Sequence, residues 1–529
     1  MAHKTGTERS QLLLLPPSLD DYIGADNPVR IIEAFVDALD LLKLGFKHVR
    51  SKETGNRPYH PSGLLKLYLY GYMNRIRTSR KLEKECTRNI ELMWLLRNLQ
   101  PAARTICYFR SDNSRSIKHA FREFVLMTKH WGLIAGELLS SDGTKLRAVN
   151  SKKNNYNPKK IAMHLERIDT QVQEYLDELD KNDKQENGNR KEDVQKTLRE
   201  LKERRRKYEN LKQQLEVTGE DQVSTTDPES RQLIIRGQIT EVAYNLQTTV
   251  DNKHNLVADV KAVNTNDKKM ASVMGRRAKK IIGHSNFDHL MDKGYHDGET
   301  IDECARHRLT TLIAVPAAAR SGDIPTPQYY NDKFTYDKTT DSYQCPMGQT
   351  LTTNGNIYNI RGSKGHPMIK QYKTRACSAC VSRNKCTSSA RGQGRLIQRS
   401  IYQDAVDANN KRVTLEKEKY RRRQEMSEHP FGVVKRQWGY DHVLLKGLAK
   451  VDAEANLIFL CYNLKRVINI LGINELIWRL RKISLFFTKQ AGKSIQNWIS
   501  KISVPEIEIE NRIEIMSYKC AKSIYLSFN

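Results

Sequence analysis

The sequence predicts a mixed α/β protein: an all-helical N-terminal domain, then a core of strands and helices interrupted by a helical hairpin and by a β-rich, cysteine-containing stretch. Three observations predict it. From Asn27 to about residue 130, apolar residues recur every three or four positions, the period of a helix with one buried face. Two later segments, TEVAYNLQTTVD and NLVADVKAV, alternate apolar and polar residues, the period of a half-buried strand. Between about residues 316 and 402 the helical period fades while Gly, Ser, Thr and Tyr rise.

Charge narrows the function. The 529 residues carry a formal net charge of +28. No fold needs that excess, which costs self-repulsion and favours a polyanionic partner. Nucleic acid is the expected partner and an acidic membrane surface the second. No apolar run approaches the roughly 18–20 residues of a spanning helix. The run Leu12 to Leu15 meets Pro16 and Pro17 and does not read as a signal peptide. A cytoplasmic, nucleoid-associated protein is expected. The nine cysteines are an odd number, and four cluster at short spacings, which in a reducing compartment points to metal rather than disulfides.

Taken in order, residues 1–26 form an irregular arm. A helix is expected from Asn27 to Leu44 on Val29, Ile32, Phe35, Val36, Leu39 and Leu42, stopping at Gly45. Ser62 is a candidate cap for GLLKLYLYGYMNRI, and Ser79 for a helix carrying Leu82, Cys86, Ile90, Met93 and Leu96. A further amphipathic helix carries Ile117, Phe121, Phe124 and Val125. Residues 27–130 thus read as a helical DNA-binding domain with cations at helix ends and turns: Arg75, Arg77, Arg80, Lys81, Arg104 and Arg110.

The core is expected in three pieces, 131–157, 218–315 and 403–466. In the first, Glu137 to Ser141 reads as a short strand ending at Asp142, and Lys145 to Ala148 as a second strand after a turn at Gly143. Asp142 is then either a metal-binding carboxylate or the Asp of an ordinary Asp-Gly turn. Residues 158–217 are a charged helical hairpin broken at Asp183 to Asn189. The strand hairpin turns at Asn252, Lys253 and His254. A helix over Lys268 to Ile282 leads to Asp292, placed at a strand-to-helix junction before a helix near Gly298, and Leu309 to Val315 reads as a buried strand.

In the β-rich insertion, 316–402, Cys345, Cys377, Cys380 and Cys386 have the spacing of a zinc ribbon or knuckle, the alternative being four free thiols. The stretch YRRRQEMSEHPFGVVKRQWGY, Tyr420 to Tyr440, begins as a helix that Pro430 either ends or restarts. Its Glu425 and Glu428 stand among Arg421, Arg422, Arg423, Lys435 and Arg436. They are either salt-bridge partners on a solvated face or metal-binding carboxylates beside phosphate-holding cations. An apolar helix, LIFLCYNLKRVINILG, follows, and then a basic tail, 467–529.

Several pieces together resemble the DDE transposases of bacterial insertion sequences, closest to the subgroup with a Tyr/Arg/Glu/Lys signature. They are LLPPSLDDYI, YHPSGLLKLYLYGY, SDGTKLRA, STTDPESR, YNLQTTVDNKHNLV, MDKGYHDGE, CPMGQ with CSAC, and EHPFGVVKRQWGY. The resemblance implies a ribonuclease-H-like catalytic core, with Asp142, Asp292 and Glu428 as a catalytic triad holding two Mg2+ or Mn2+ ions. It implies binding of terminal inverted repeats, cleavage at the element ends, transfer of the freed 3′-hydroxyl to target DNA, and action as a homodimer. Tyr420, Arg423 and Lys435 would contact the transposon end, with Arg436, Arg104 and Arg110 as further DNA contacts. Trp438 would either stack on a displaced base or sit in the core. The family places three residues between Arg and Glu, whereas four separate Arg423 from Glu428. Arg422 is therefore an alternative. Glu425 is the rival acid, since Arg421 has the family spacing to it, but its Lys position falls on Gly432. An inactive DNA-binding descendant and a nuclease without strand transfer are the other readings.

Overall fold

The structure is a computed structural model that describes residues 17–50, 57–183, 188–236, 239–316, 324–359, 368–389 and 394–483. The Leu12 to Leu15 run and most of the basic tail, including Trp498 and Lys501, lie outside the described residues. Among the described residues no single helix is long and apolar enough to cross a membrane.

Two compact units divide the chain, one from residues 17–71, 79–106 and 467–483, the other from 72–78 and 107–466. The first is helical. Val29–Asp37 buries Val29, Ile31, Ile32, Phe35 and Val36, but it ends seven residues before Leu44. Beyond it the Asp40 carboxylate takes the Lys43 N–H at 2.9 Å, a turn that competes with further helix. The helix expected from Ser79 through Leu96 is two, Ser79–Cys86 and Ile90–Leu96. Asn89 separates them because its side chain caps the second, accepting from the Glu91 and Leu92 N–H groups.

The helix Ser114–His130, read from sequence as part of the N-terminal domain, groups with the larger unit. Lys118 pairs with Asp452 at 2.5 Å, and Asp452 also receives the Ala262 N–H at 2.7 Å.

The larger unit is built on one mixed sheet. Its central strand, Leu138–Arg147, runs antiparallel to Ile239–Asp251 and parallel to Asp288–Met291, which is parallel in turn to Thr310–Ile313. Val257–Val263 completes the hairpin on the far side of Ile239–Asp251, and Arg231–Arg236 pairs with the start of that long strand. The hairpin turns after Asp251, as the alternation predicts.

Leu138–Arg147 is a single unbroken strand, not two strands around a turn at Gly143. Asp142 lies opposite Thr248 and Gly143 opposite Gln247, in continuous register. Glycine is required there for another reason: a Cβ on Gly143 would fall on the Asp267 carboxylate and the Gln247 amide.

The helical hairpin is present as Pro158–Asp183 and Gly188–Thr218. Ile161, Ile168, Leu201, Tyr208, Leu211 and Leu215 bury its seam, and His164 stacks on Tyr208 at 4.8 Å. The β-rich insertion is a five-stranded antiparallel sheet whose core is Phe334, Tyr343, Leu351, Tyr372 and Ile397. The chain then returns to the main sheet in Lys417–Phe431, here called the signature helix.

That helix neither ends nor restarts at Pro430, which lies inside it. Proline supplies no N–H to the carbonyl a turn earlier. The following residues, 432–437, widen into π-type turns, closed by the Trp438 N–H on the Val433 carbonyl at 2.9 Å. The apolar helix Leu448–Leu471 follows, with Leu457, Ile458, Phe459 and Leu460 fully buried.

Candidate active site

Sheet register brings two distant carboxylates together. Leu138–Arg147 and Asp288–Met291 are parallel neighbours, and Ser141 lies opposite Met291. The next residue on each is an aspartate, so Asp142, still within its strand, and Asp292, just past the end of its own, stand at the same level. Asp292 Oδ1 accepts the Gly294 N–H at 2.8 Å and caps the short turn Lys293–Tyr295. Asp142 Oδ1 accepts the Gly143 N–H at 2.7 Å, and its Oδ2 lies 3.2 Å from Arg423 Nη1.

The electrostatics follow from that pairing. Burial pushes the Asp142 carboxyl up to about 6, and the Asp292 charge adds to the shift; Arg423 and the Gly143 N–H oppose it. A pocket whose acids repel one another, with one arginine as direct counter-charge, is suited to a cation.

The signature helix lies across this edge of the sheet. Met426 packs on Leu138, Leu290 and Leu312. Ser427 Oγ is 2.8 Å from Ser140 Oγ, Tyr420 Oη donates to the Met291 carbonyl at 3.0 Å, and Lys419 Nζ is 2.6 Å from Asp288. Lys435 Nζ donates to Thr144 Oγ1 and to the Lys145 carbonyl, both at 3.2 Å. Burial lowers the Lys435 ammonium and raises the Tyr420 phenol.

Glu428 is exposed and receives the Gln424 amide at 2.9 Å. Three acids do not converge: among the described residues no group of three His, Cys, Asp or Glu side chains could hold a metal ion as they stand. Glu425, the rival, is also exposed and acts electrostatically on His429, whose ring bonds Tyr462 at 2.8 Å. At about 100° per residue, Glu428 lies about 40° from Gln424 and about 60° from Glu425, all three on the exposed side of the helix. Glu425 lies on the flank turned towards Tyr462.

Two DNA contacts expected from sequence are corrected. Arg110 is buried and donates to Tyr72 Oη at 2.9 Å. Trp438 is 5 % exposed and packs edge-on against Tyr440, with ring centroids 5.6 Å apart, so no face is open to a base. Arg77 is likewise interior, bonded to the His442 carbonyl and set over the Tyr440 ring. Arg104 and Arg436 are exposed.

Cys345, Cys377, Cys380 and Cys386 border one small cavity with Phe334, Leu351 and Arg395. The Gln349 N–H points at Cys345 Sγ at 3.3 Å. Burial raises the Cys386 thiol; Arg395 counters this and the other three cysteines reinforce it. The four share a cavity without closing to metal-holding distance.

Sequence reasoning missed Asp267. Its carboxylate is 2.6 Å from Lys145 Nζ and accepts from the Asn245 and Gln247 amides at 2.9 and 2.7 Å. It adds to the raising of Asp142. An Asp four residues before a helix that starts at Ala271 reads as a loop residue, so no local signal marks it.

The mixed sheet thus carries Asp142 within its central strand and Asp292 just past the parallel neighbour, and the signature helix packs over both strands. Residues 17–112 match the family described as Transposase domain (DUF772), and residues 344–468 match the Transposase DDE domain. A ribonuclease-H-like core is what the DDE domain match implies. The chain thus carries a transposase domain and a DDE transposase domain, and the DDE domain implies an enzyme of DNA cleavage and strand transfer. The second match includes Glu428 and the four cysteines; Asp142 and Asp292 lie outside it. No curated protein and no solved structure matches the chain.

Proposed function

We propose that this transposase binds the terminal inverted repeats of an insertion sequence, cuts at the element ends and joins the 3′-hydroxyl ends to target DNA, with Asp142, Asp292 and Glu428 as its acids. The observation that carries this is the register pairing of Asp142 with Asp292 beside Arg423 and Lys435. Divalent ions held by these acids would supply Lewis acidity to the attacking and leaving oxygens of the phosphodiester. The chain's own part is to gather charge and orient DNA. Asp142 and Asp292 provide the anionic site. Arg423, released from Asp142, and Lys435 hold phosphate oxygens. Tyr420, anchored on Met291, fixes the helix against the strand end. Glu428, exposed and bonded to Gln424, would give up that bond to join the site.

The test is magnesium-dependent cleavage of end-containing DNA by wild type and by Asp142→Asn, Asp292→Asn and Glu428→Gln. Each variant should bind ends and fail to cut them. Cleavage surviving in any one removes that residue from the triad. Pre-cleaved ends incubated with a plasmid should give joined products, and hydrolysis alone would leave a nuclease.

A further inference from the structure

Behind the Asp142–Asp292 edge, on the opposite face of the sheet, lies a closed polar network. Residues directly opposite in an antiparallel pair share a face, and successive residues alternate. Gly143 with Gln247 and Lys145 with Asn245 therefore face away from Asp142 and Thr248. Asp267 is the centre of that far face. One oxygen takes both amides, and the other takes Lys145. A carboxylate is the only side chain that can accept on both oxygens at once.

The network reaches both site acids. The Asp267 carboxylate occupies the space a Cβ on Gly143 would need, directly after Asp142. On the other side, a Cβ on Gly294 would be 3.0 Å from Asp292 Oδ1 and 3.5 Å from Asp267 Oδ2. Tyr295, fully buried and in the turn that Asp292 caps, donates its hydroxyl to Gln247 Oε1. An unbroken path thus runs from Lys145 on the Asp142 strand through Asp267 and Gln247 to Tyr295.

We propose that Asp267 is a positioning residue that fixes the spacing of Asp142 and Asp292 for cation binding, acting through Lys145 on one side and through Gln247 and Tyr295 on the other. This rests on the reading of those two aspartates as the metal-binding pair. Asparagine at 267 keeps the shape but must turn an N–H2 group towards Lys145 or towards the two amides, so one end of the path opens.

The test uses the full chain and follows Mn2+ binding by electron paramagnetic resonance, together with end-DNA affinity and melting temperature. Supporting groups behind metal ligands typically change metal affinity by about 10–100-fold. Asp267→Asn should weaken Mn2+ binding by about tenfold or more, and Tyr295→Phe by a smaller factor. End-DNA affinity should stay within about twofold of wild type. Wild-type Mn2+ affinity in Asp267→Asn would overturn the proposal. If that variant does not fold, Tyr295→Phe decides, and wild-type affinity there overturns it equally. Asp142→Asn separates the two layers of the argument. Should it too bind Mn2+ normally, the site reading itself fails. Should it lose Mn2+ while Asp267→Asn does not, only the role given to Asp267 is lost.

Discussion

Arg423 and Asp142 form an ion pair between the signature helix and the central strand, Nη1 to Oδ2 at 3.2 Å, with both side chains largely withdrawn from water. The arginine does not bring the acid to an ordinary carboxylate value; burial and Asp292 keep it near 6. The sign of the consequence is fixed. A carboxyl raised in the folded state binds its proton more tightly than in the unfolded chain. Its contribution to stability is full below about pH 4 and is lost as pH rises to about 6. At pH 7.5 without divalent ions, Asp142→Asn should therefore be more stable than wild type, by on the order of 1–3 kcal/mol. Denaturant melts at pH 4.0 and 7.5 check it: the gap should close at the acid end, and added Mg2+ should stabilise wild type alone.

Trp438 tests the packing correction. An indole 5 % exposed against Tyr440 contributes to the core, whatever the signature around it suggests. Trp438→Ala should cost about 3–5 kcal/mol, while Trp438→Phe should keep most of the stability and leave end-DNA affinity unchanged. A stable Trp438→Phe protein with tenfold weaker end binding would restore the stacking role.

Local patterns carried the elements that depend on local patterns. The strand hairpin and the charged helical arm announce themselves because alternation and three-to-four spacing are set by neighbours in sequence. The Asp142 strand did not, since Gly143 after an Asp reads as a turn and its cause, Asp267, is supplied by a distant loop. The same limit hid the burial of Arg110 and Trp438: residue type suggests a surface role, and only tertiary neighbours such as Tyr72 and Tyr440 overrule it. Pro430 misled because the helix carries it one residue from its end, before the wider turns that follow.

The cysteine cavity yields a prediction of metal content. Four thiols from three segments border one space, and the Gln349 N–H is already aimed at Cys345 Sγ, the donor a thiolate would use. Rotation about Cα–Cβ bonds is the movement that would draw the sulfurs inward. Metal analysis of the purified full chain should find one zinc per chain, and Cys377→Ser with Cys380→Ser should release it and lower the melting temperature. Absence of zinc, with four thiols titrating freely, assigns these residues to packing around Phe334 and Leu351 alone.

Glu428 and Glu425 are three residues apart on the signature helix, about 60° from one another on its exposed side. Ser427 anchors the helix to Ser140 at 2.8 Å, and Tyr420 anchors it to Met291, so its rotation about its own axis is fixed. In that setting Glu428 takes the Gln424 amide and Glu425 acts on His429, and a turn of the helix would be the large movement open to either. Turning the helix would expose Met426, which is buried against Leu138, Leu290 and Leu312. Fully burying such a side chain contributes about 1.5–3 kcal/mol, which holds the helix in its present setting. With Glu428 proposed as the third acid on its spacing to Lys435, Glu428→Gln should abolish magnesium-dependent end cleavage while Glu425→Gln cuts within about threefold of wild type, both measured with end binding held saturating. The reverse pattern would transfer the third acid to Glu425.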